Sequence, residues 1–311
     1  MAFLRQRRRP APRLAPQLDD EELGRMLDLL SSSRSLGPQD IAISQVEQLL
    51  HRTGDAWDRR SHRVVTLAGA FPALARKWRM KQPRSTDALV LHAWADVLLG
   101  RHAGGLDDVD ATLETCRRAA DASPADPTPW VAMLAALRVE RRETAEVAAV
   151  WEEIRRRDPW NREAHMQILG YLSPEERGSH ATLREFIDDV VAIMPPQMPP
   201  ACLPLAAAVR QYHRNLDQGG VQALVAPHYW SQPHAARALG QAAGQWLQPG
   251  FLQHAARTAD LNLLAYALAR AGRTVEAGQA FRAVFGQVVP WPWEHDGDPV
   301  ERFVHWSGRC E

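Results

Sequence analysis

Between residues 261 and 284 the apolar positions fall into two stripes with helical spacing. Leu261, Leu264 and Leu268 share one face of a predicted helix, and Ala265 beside them is small enough to let a second helix approach closely. Gly272-Arg273 supplies a turn. Ala277, Phe281 and Val284 then form the facing stripe of a second helix, which places Phe281 between helices. Neither helix buries its stripe alone, so the pair predicts stacked neighbours.

The pattern recurs upstream. Trp130, Met133, Leu134 and Leu137 form a first-helix stripe, Val147, Trp151 and Ile154 a second, and Pro159 closes the unit after Asp158. A shift of 35 residues puts His165, Ile168, Leu169 and Leu172 on the first stripe and Phe186 at the place of Trp151. A looser unit runs from Thr86 to Ala122, with Leu91, Trp94, Ala95 and Leu98, a Gly104-Gly105 turn, then Leu113 and Cys116. Ser123-Pro-Ala-Asp-Pro127 separates units, as prolines do between helices.

Outside these repeats the reading stays helical. Acidic residues from Asp19 to Glu22 precede Leu23, Met26, Leu27 and Leu30, which suits a helix amino end. The chain restarts at Gly37-Pro38, and further helices follow around Val46, from Trp57 to Phe71 and from Ala73 to Met80. The proline group from Met194 to Pro200 reads as a long inter-helix turn in preference to a domain linker. Residues 219–257 are less regular, Pro290 to His295 wraps across something, and a helix from Pro299 to Trp306 caps the array. No convincing alternating strand interrupts this. The fold class predicted is all-α, with residues 18–311 as a single helical-repeat domain.

Residues 1–17 differ. Arg5, Arg7, Arg8, Arg9 and Arg13, broken by Pro10, Pro12 and Pro16, read as a disordered, solvated basic arm. There is no apolar stretch behind it for a secretory signal, and no run has the length of a membrane span. Cys116, Cys202 and Cys310 are odd in number and far apart, which fits a reducing cytoplasm. Hydrophobic content of 45% is enough for a core, and eleven tryptophans suit inter-helix packing. Formal net charge is zero, which makes a general nucleic-acid binder unlikely by composition. The basic residues are nearly all arginine, Lys77 and Lys81 being the only lysines, and alanine is abundant, a GC-rich bacterial composition.

Segments 86–192 and 260–286 resemble the tetratricopeptide superfamily, the second closely. Three stretches, Thr53 to His62, Asp158 to His165 and Tyr171 to His180, also resemble a group of bacterial helical-repeat proteins common in actinomycetes. The resemblance implies an α-solenoid of antiparallel helix pairs with a concave, partner-binding surface, and no known activity. The extra turn residue in the 130–154 unit, the proline break and the irregular 200–257 region depart from the superfamily's period of about 34 residues.

Candidate chemistry is sparse. His295, Asp296, Asp298 and His305 crowd the carboxyl end without recognised metal spacing, and Asp298 ahead of Pro299 reads as a helix cap. His165 lies on a packing stripe and reads as a core histidine. Gly178-Ser179-His180 lacks the preceding strand of a nucleophile elbow, so Ser179 reads as a cap. Gly104-Gly105 lacks the Lys-Ser/Thr of a phosphate loop. No catalytic residue, metal or cofactor is predicted.

Two sets remain as candidate partner contacts. Arg59, Arg60, Arg63, Arg76, Lys77 and Trp78 belong to the one basic region, which serves either as an acidic-protein or RNA surface or as ion-pair partners for neighbouring helices. Asn262, Tyr266 and Arg270 form one row opposite Leu264 and Leu268. By the resemblance this row lines the groove; the spacing alone shows an aligned polar face. On the groove reading, a triple substitution to alanine weakens partner capture and leaves the melting temperature unchanged. The leading expectation is a cytoplasmic protein- or peptide-binding scaffold. The alternatives are an enzyme with its active site in the helical groove, and RNA binding through 59–84.

Overall fold

The computed structural model describes residues 10–32, 39–195 and 197–310. The restart at Gly37-Pro38 and the arm arginines Arg5, Arg7, Arg8 and Arg9 lie outside the described residues. Among the described residues the chain is all-α apart from one pair of two-residue strands. None of these helices is long and apolar enough to cross a membrane.

The described residues fall into two compact units. One covers Asp20–Ala201, and the other combines the described residues up to Asp19 with Cys202 onward. The proline group 195–200 falls at the division, where it supplies few backbone donors to carry a helix across.

The 20–201 unit contains α1 (Glu21–Ser32), α2 (Gln39–Thr53), α3 (Trp57–Ala70), α4 (Pro72–Lys81), α5 (Thr86–Ala103), α6 (Val109–Ala122), α7 (Thr128–Val139), α8 (Thr144–Arg157), α9 (Arg162–Tyr171) and α10 (His180–Ile193). Side-chain caps start several of them. Ser85 Oγ accepts from Ala88 N–H, Asp108 Oδ1 from Ala111 N–H and Asn161 Oδ1 from Ala164 N–H, while Ser179 and Thr182 form a capping box. Within the unit α5 packs on α3, α4, α6 and α7, and α7 packs on α8 and α9. Leu91, Trp94, Leu134, Leu137, Ile154 and Leu169 are buried. Trp151 and Phe186, related by the 35-residue shift, meet edge to face at 6.1 Å, with His165 edge-on to Trp151 at 4.8 Å.

The second unit contains α11 (Leu203–Asp217), α12 (Gly220–Val225), α13 (Pro233–Gln245), α14 (Arg257–Arg270), α15 (Thr274–Val284), α16 (Pro290–Trp293) and α17 (Pro299–Arg309), the last capped by Asp298. Strand β1 (Arg13–Leu14) pairs in parallel with β2 (Gln287–Val288). Arg13 N–H donates to Gly286 O and Ala15 N–H to Val288 O, and Leu18 packs with Ala256 and Val289. The predicted disordered arm is thus corrected from residue 13 onward. Pro12 and Pro16 flank the two donors and remove neither.

On α14 and α15 the predicted stripes are buried, Leu261, Leu264 and Leu268 against Ala277, Phe281 and Val284. Phe281 lies edge-on to Phe303 at 5.0 Å and tilted to Trp293 at 5.8 Å. Phe281→Ala should destabilise this unit by about 3 kcal/mol, the lower end for a buried phenylalanine because the α17 side can partly collapse. Denaturant unfolding checks this; a loss below about 0.5 kcal/mol contradicts the packing assigned to Phe281.

Candidate binding site

The basic region is largely internal. Arg63 is buried, donating to both carboxylate oxygens of Asp20 at 2.7 and 3.0 Å, to Glu22, to Thr53 Oγ1 and to Leu49 O. Burial pushes the Asp20 carboxyl up, but hydrogen bonds from Arg63 and Leu23 N–H, with the charges of Arg63 and Arg59, hold it below its usual range. Arg60 is also buried. It bridges Asp87 and Asp126, and Asp126 in turn accepts from Thr128 at the start of α7. Trp78 is closed to solvent with Nε1 donating to Gln82. Of the six candidates only Arg59 and Arg76 are exposed, and Lys77 is half-buried. For Arg60 and Arg63 the ion-pair reading is the one that holds, and with Trp78 they are corrected as partner contacts. Acidic partners 27–66 residues away hold the two arginines, which local spacing does not show.

The Asn262 row is internal too. Asn262 and Tyr266 are fully buried and Arg270 is half-buried, so the exposed groove row is corrected. The 287–296 segment covers this face. Asn262 donates to Thr258 O and Gln287 O and accepts from Trp293 Nε1 at 2.9 Å. Tyr266 donates to Asp296 Oδ2, so its oxygen accepts from His213 Nε2, 3.0 Å away. Arg270 donates to Tyr212 OH at 3.0 Å and pairs with Asp296 at 3.5 Å. His295 stacks on His213 with ring centres 3.9 Å apart and contacts Asp217 and Asp296. Burial, then the charges of His295, Arg270 and Arg210, lower His213 to about 3, so it is neutral near pH 7. The row and two of the carboxyl-end group, His295 and Asp296, separate in sequence, form one satisfied polar cluster. Among the described residues no group of three or more His, Cys, Asp or Glu side chains is arranged to hold a metal ion.

An open site lies elsewhere, within the 20–201 unit. A recess of about 500 Å³ is bounded by the carboxyl end of α5, the α7–α8 turn and the α9–α10 turn, with Arg101, Arg138, Glu140, Arg141 and Glu176 among its lining. Arg138 is held through Nε at 2.8 Å to Glu176 and through Nη1 at 2.9 Å to Gln167, which donates to Glu163. Its guanidinium passes over Gly170 of α9: a Cβ there would stand 2.0 Å from Arg138 Cζ, so a larger residue would displace this side chain. Glu140 Oε1 accepts from Leu106 N–H at 2.6 Å.

The other two arginines are less engaged. Arg101 makes one long hydrogen bond, 3.4 Å to Gln167 Oε1, among the described residues. It is open to solvent yet crowded by protein, and burial followed by the charge of Arg138 lowers its pKa. Arg141 is exposed, with φ of 50°, in the left-handed region. Its N–H donates to Arg138 O, and Arg142 N–H to Leu137 O. The α14–α15 turn has the same two bonds, Gly272 N–H to Ala269 O and Arg273 N–H to Leu268 O, with Gly272 at φ of 73°. Arg141 thus occupies a glycine position. No recognised spacing marks Arg101, Arg138 and Arg141; the available signal was arginine at 141 in the turn with the extra residue. No family model and no curated protein matches this chain.

Proposed function

We propose that this chain is a tetratricopeptide-like helical-repeat scaffold that binds a protein or peptide partner. The observation that carries the reading is the packing of α5, α7 and α9. The α5–α6 and α7–α8 pairs are each packed and joined by a short turn, and α5 packs on α7 and α7 on α9, the arrangement expected of stacked helix pairs. Such stacking lines up first helices as a continuous surface for an extended ligand. Buried thiols at Cys116, Cys202 and Cys310 suit a reducing cytoplasm. The burial of Arg60, Arg63 and Trp78 removes three of the side chains on which RNA binding would rest.

Selection of a displayed peptide library on the full-length chain tests the reading. A recurring sequence should be enriched, and the matching synthetic peptide should slow amide exchange along α5, α7 and α9. Enrichment no greater than on bare support overturns it.

A further inference from the structure

We propose that the recess between the α5, α7–α8 and α9–α10 ends is a binding site for an oxyanion, a phosphate or carboxylate group carried by a ligand. It opens among helix-pair turns, so the proposal stands whether or not the partner is a peptide. Its carboxylates are already engaged: Glu176 by Arg138 and Glu140 by Leu106 N–H. Arg101 and Arg141 therefore present guanidinium N–H groups with no carboxylate on them among the described residues. A guanidinium fits two oxygens of such a group at once.

Neither arginine is needed to close a helix end. Backbone N–H groups of Gly104 and Gly105 cap Gly100 O, and those of Arg141 and Arg142 cap α7. Arg101 and Arg138 converge on one acceptor, Gln167 Oε1, so two guanidinium groups lie close together, with Glu176 and Glu163 offsetting part of their charge. An anion beside Arg101 offsets the charge of Arg138, which acts after burial in lowering the Arg101 pKa. Arg141 holds a backbone conformation that disfavours any residue with a Cβ, at a place where the α14–α15 turn has glycine. Keeping arginine there gives the rim of the recess a cation that folding does not use. The volume of about 500 Å³ falls in the range of small-ligand sites, roughly 300–1,000 Å³, and exceeds what a bare anion fills.

The test uses the full-length chain, titrated with inorganic phosphate and separately with glutarate, against sodium chloride at matched ionic strength. Calorimetry and thermal shift are the readouts. Saturable binding of at least one of the two anions is expected, and which one saturates identifies the group. Arg101→Gln should weaken that binding at least tenfold, the loss of one bidentate charged contact. Arg141→Gly should weaken it about threefold or more while the ligand-free melting temperature stays level or rises, which shows the fold intact. Heats equal to the chloride control, or equal affinities for wild type and both variants, mean an adventitious ion only and overturn the proposal. Because the probes are small anions, success here with failed peptide selection removes the scaffold reading alone, and the reverse result removes this one.

Discussion

Replacing Asn262, Tyr266 and Arg270 together by alanine is expected to unfold the unit that contains α14. Losing Tyr266 removes a buried aromatic side chain in edge contact with Trp293 at 5.1 Å, worth about 3–5 kcal/mol. Losing Asn262 leaves Trp293 Nε1 and the Gln287 carbonyl without partners, at about 1–3 kcal/mol for each buried group. Losing Arg270 strips Asp296 and Tyr212 of their cation. The residues touch a common network, so their effects do not add simply. Even so, a combined loss above about 5 kcal/mol rivals the whole stability of a domain. Amide exchange should show protection lost across 257–296 and retained across 86–139. Wild-type protection throughout would mean that the 287–296 segment does not seat on α14.

Arg63→Met should cost the 20–201 unit about 3–4 kcal/mol. The substitution keeps much of the side-chain volume and leaves the Asp20 carboxylate closed to solvent without its cation, at about 3–5 kcal/mol for a broken buried pair. Asp20 keeps its hydrogen bond from Leu23 N–H, so the upper limit is not reached. Asp20 has a folded pKa below its unfolded one. In the wild type its contribution is therefore present above the ordinary carboxylate range and fades as pH falls through the depressed value. In the variant the carboxyl is freed to take a proton, so the deficit should shrink towards pH 4. Adding Asp20→Asn should recover part of the loss. Urea unfolding of the three chains reads each effect, and a neutral Arg63→Met would show that the pair does not hold α1 to α3.

Helices were legible because their information is periodic and local. Leu261 to Val284 and the Trp151–Phe186 correspondence needed only spacing, and Ser179 and Asp298 announced themselves as caps by type and position. The candidate site was hidden for the opposite reason. Asn262 and Tyr266 sit opposite an apolar stripe, where periodicity assigns solvent, but residues 287–296 return over them and His213 packs on Tyr266. For Arg60 and Arg63 surface contact and ion pairing both stayed open, because Asp87, Asp126 and Asp20 are distant in sequence. The recess draws Arg101, Arg138, Arg141 and Glu176 from three separate chain stretches, and no short motif spans them. Where a polar residue must find a distant partner, spacing tells its direction along a helix and nothing of what arrives there.

The pairing of residues 13–14 with 287–288 also sets an order of events during synthesis. At about 5–20 residues per second, residue 288 follows residue 14 by tens of seconds. Residues 20–201 are all available well before then and can fold as a unit while translation continues. The other unit keeps its early strand waiting until nearly the whole chain has emerged. Translation pauses placed late in the message would prolong that wait. Trimming residues 10–18 would then damage α14–α17, far along the chain, and leave the adjoining α1–α10 intact.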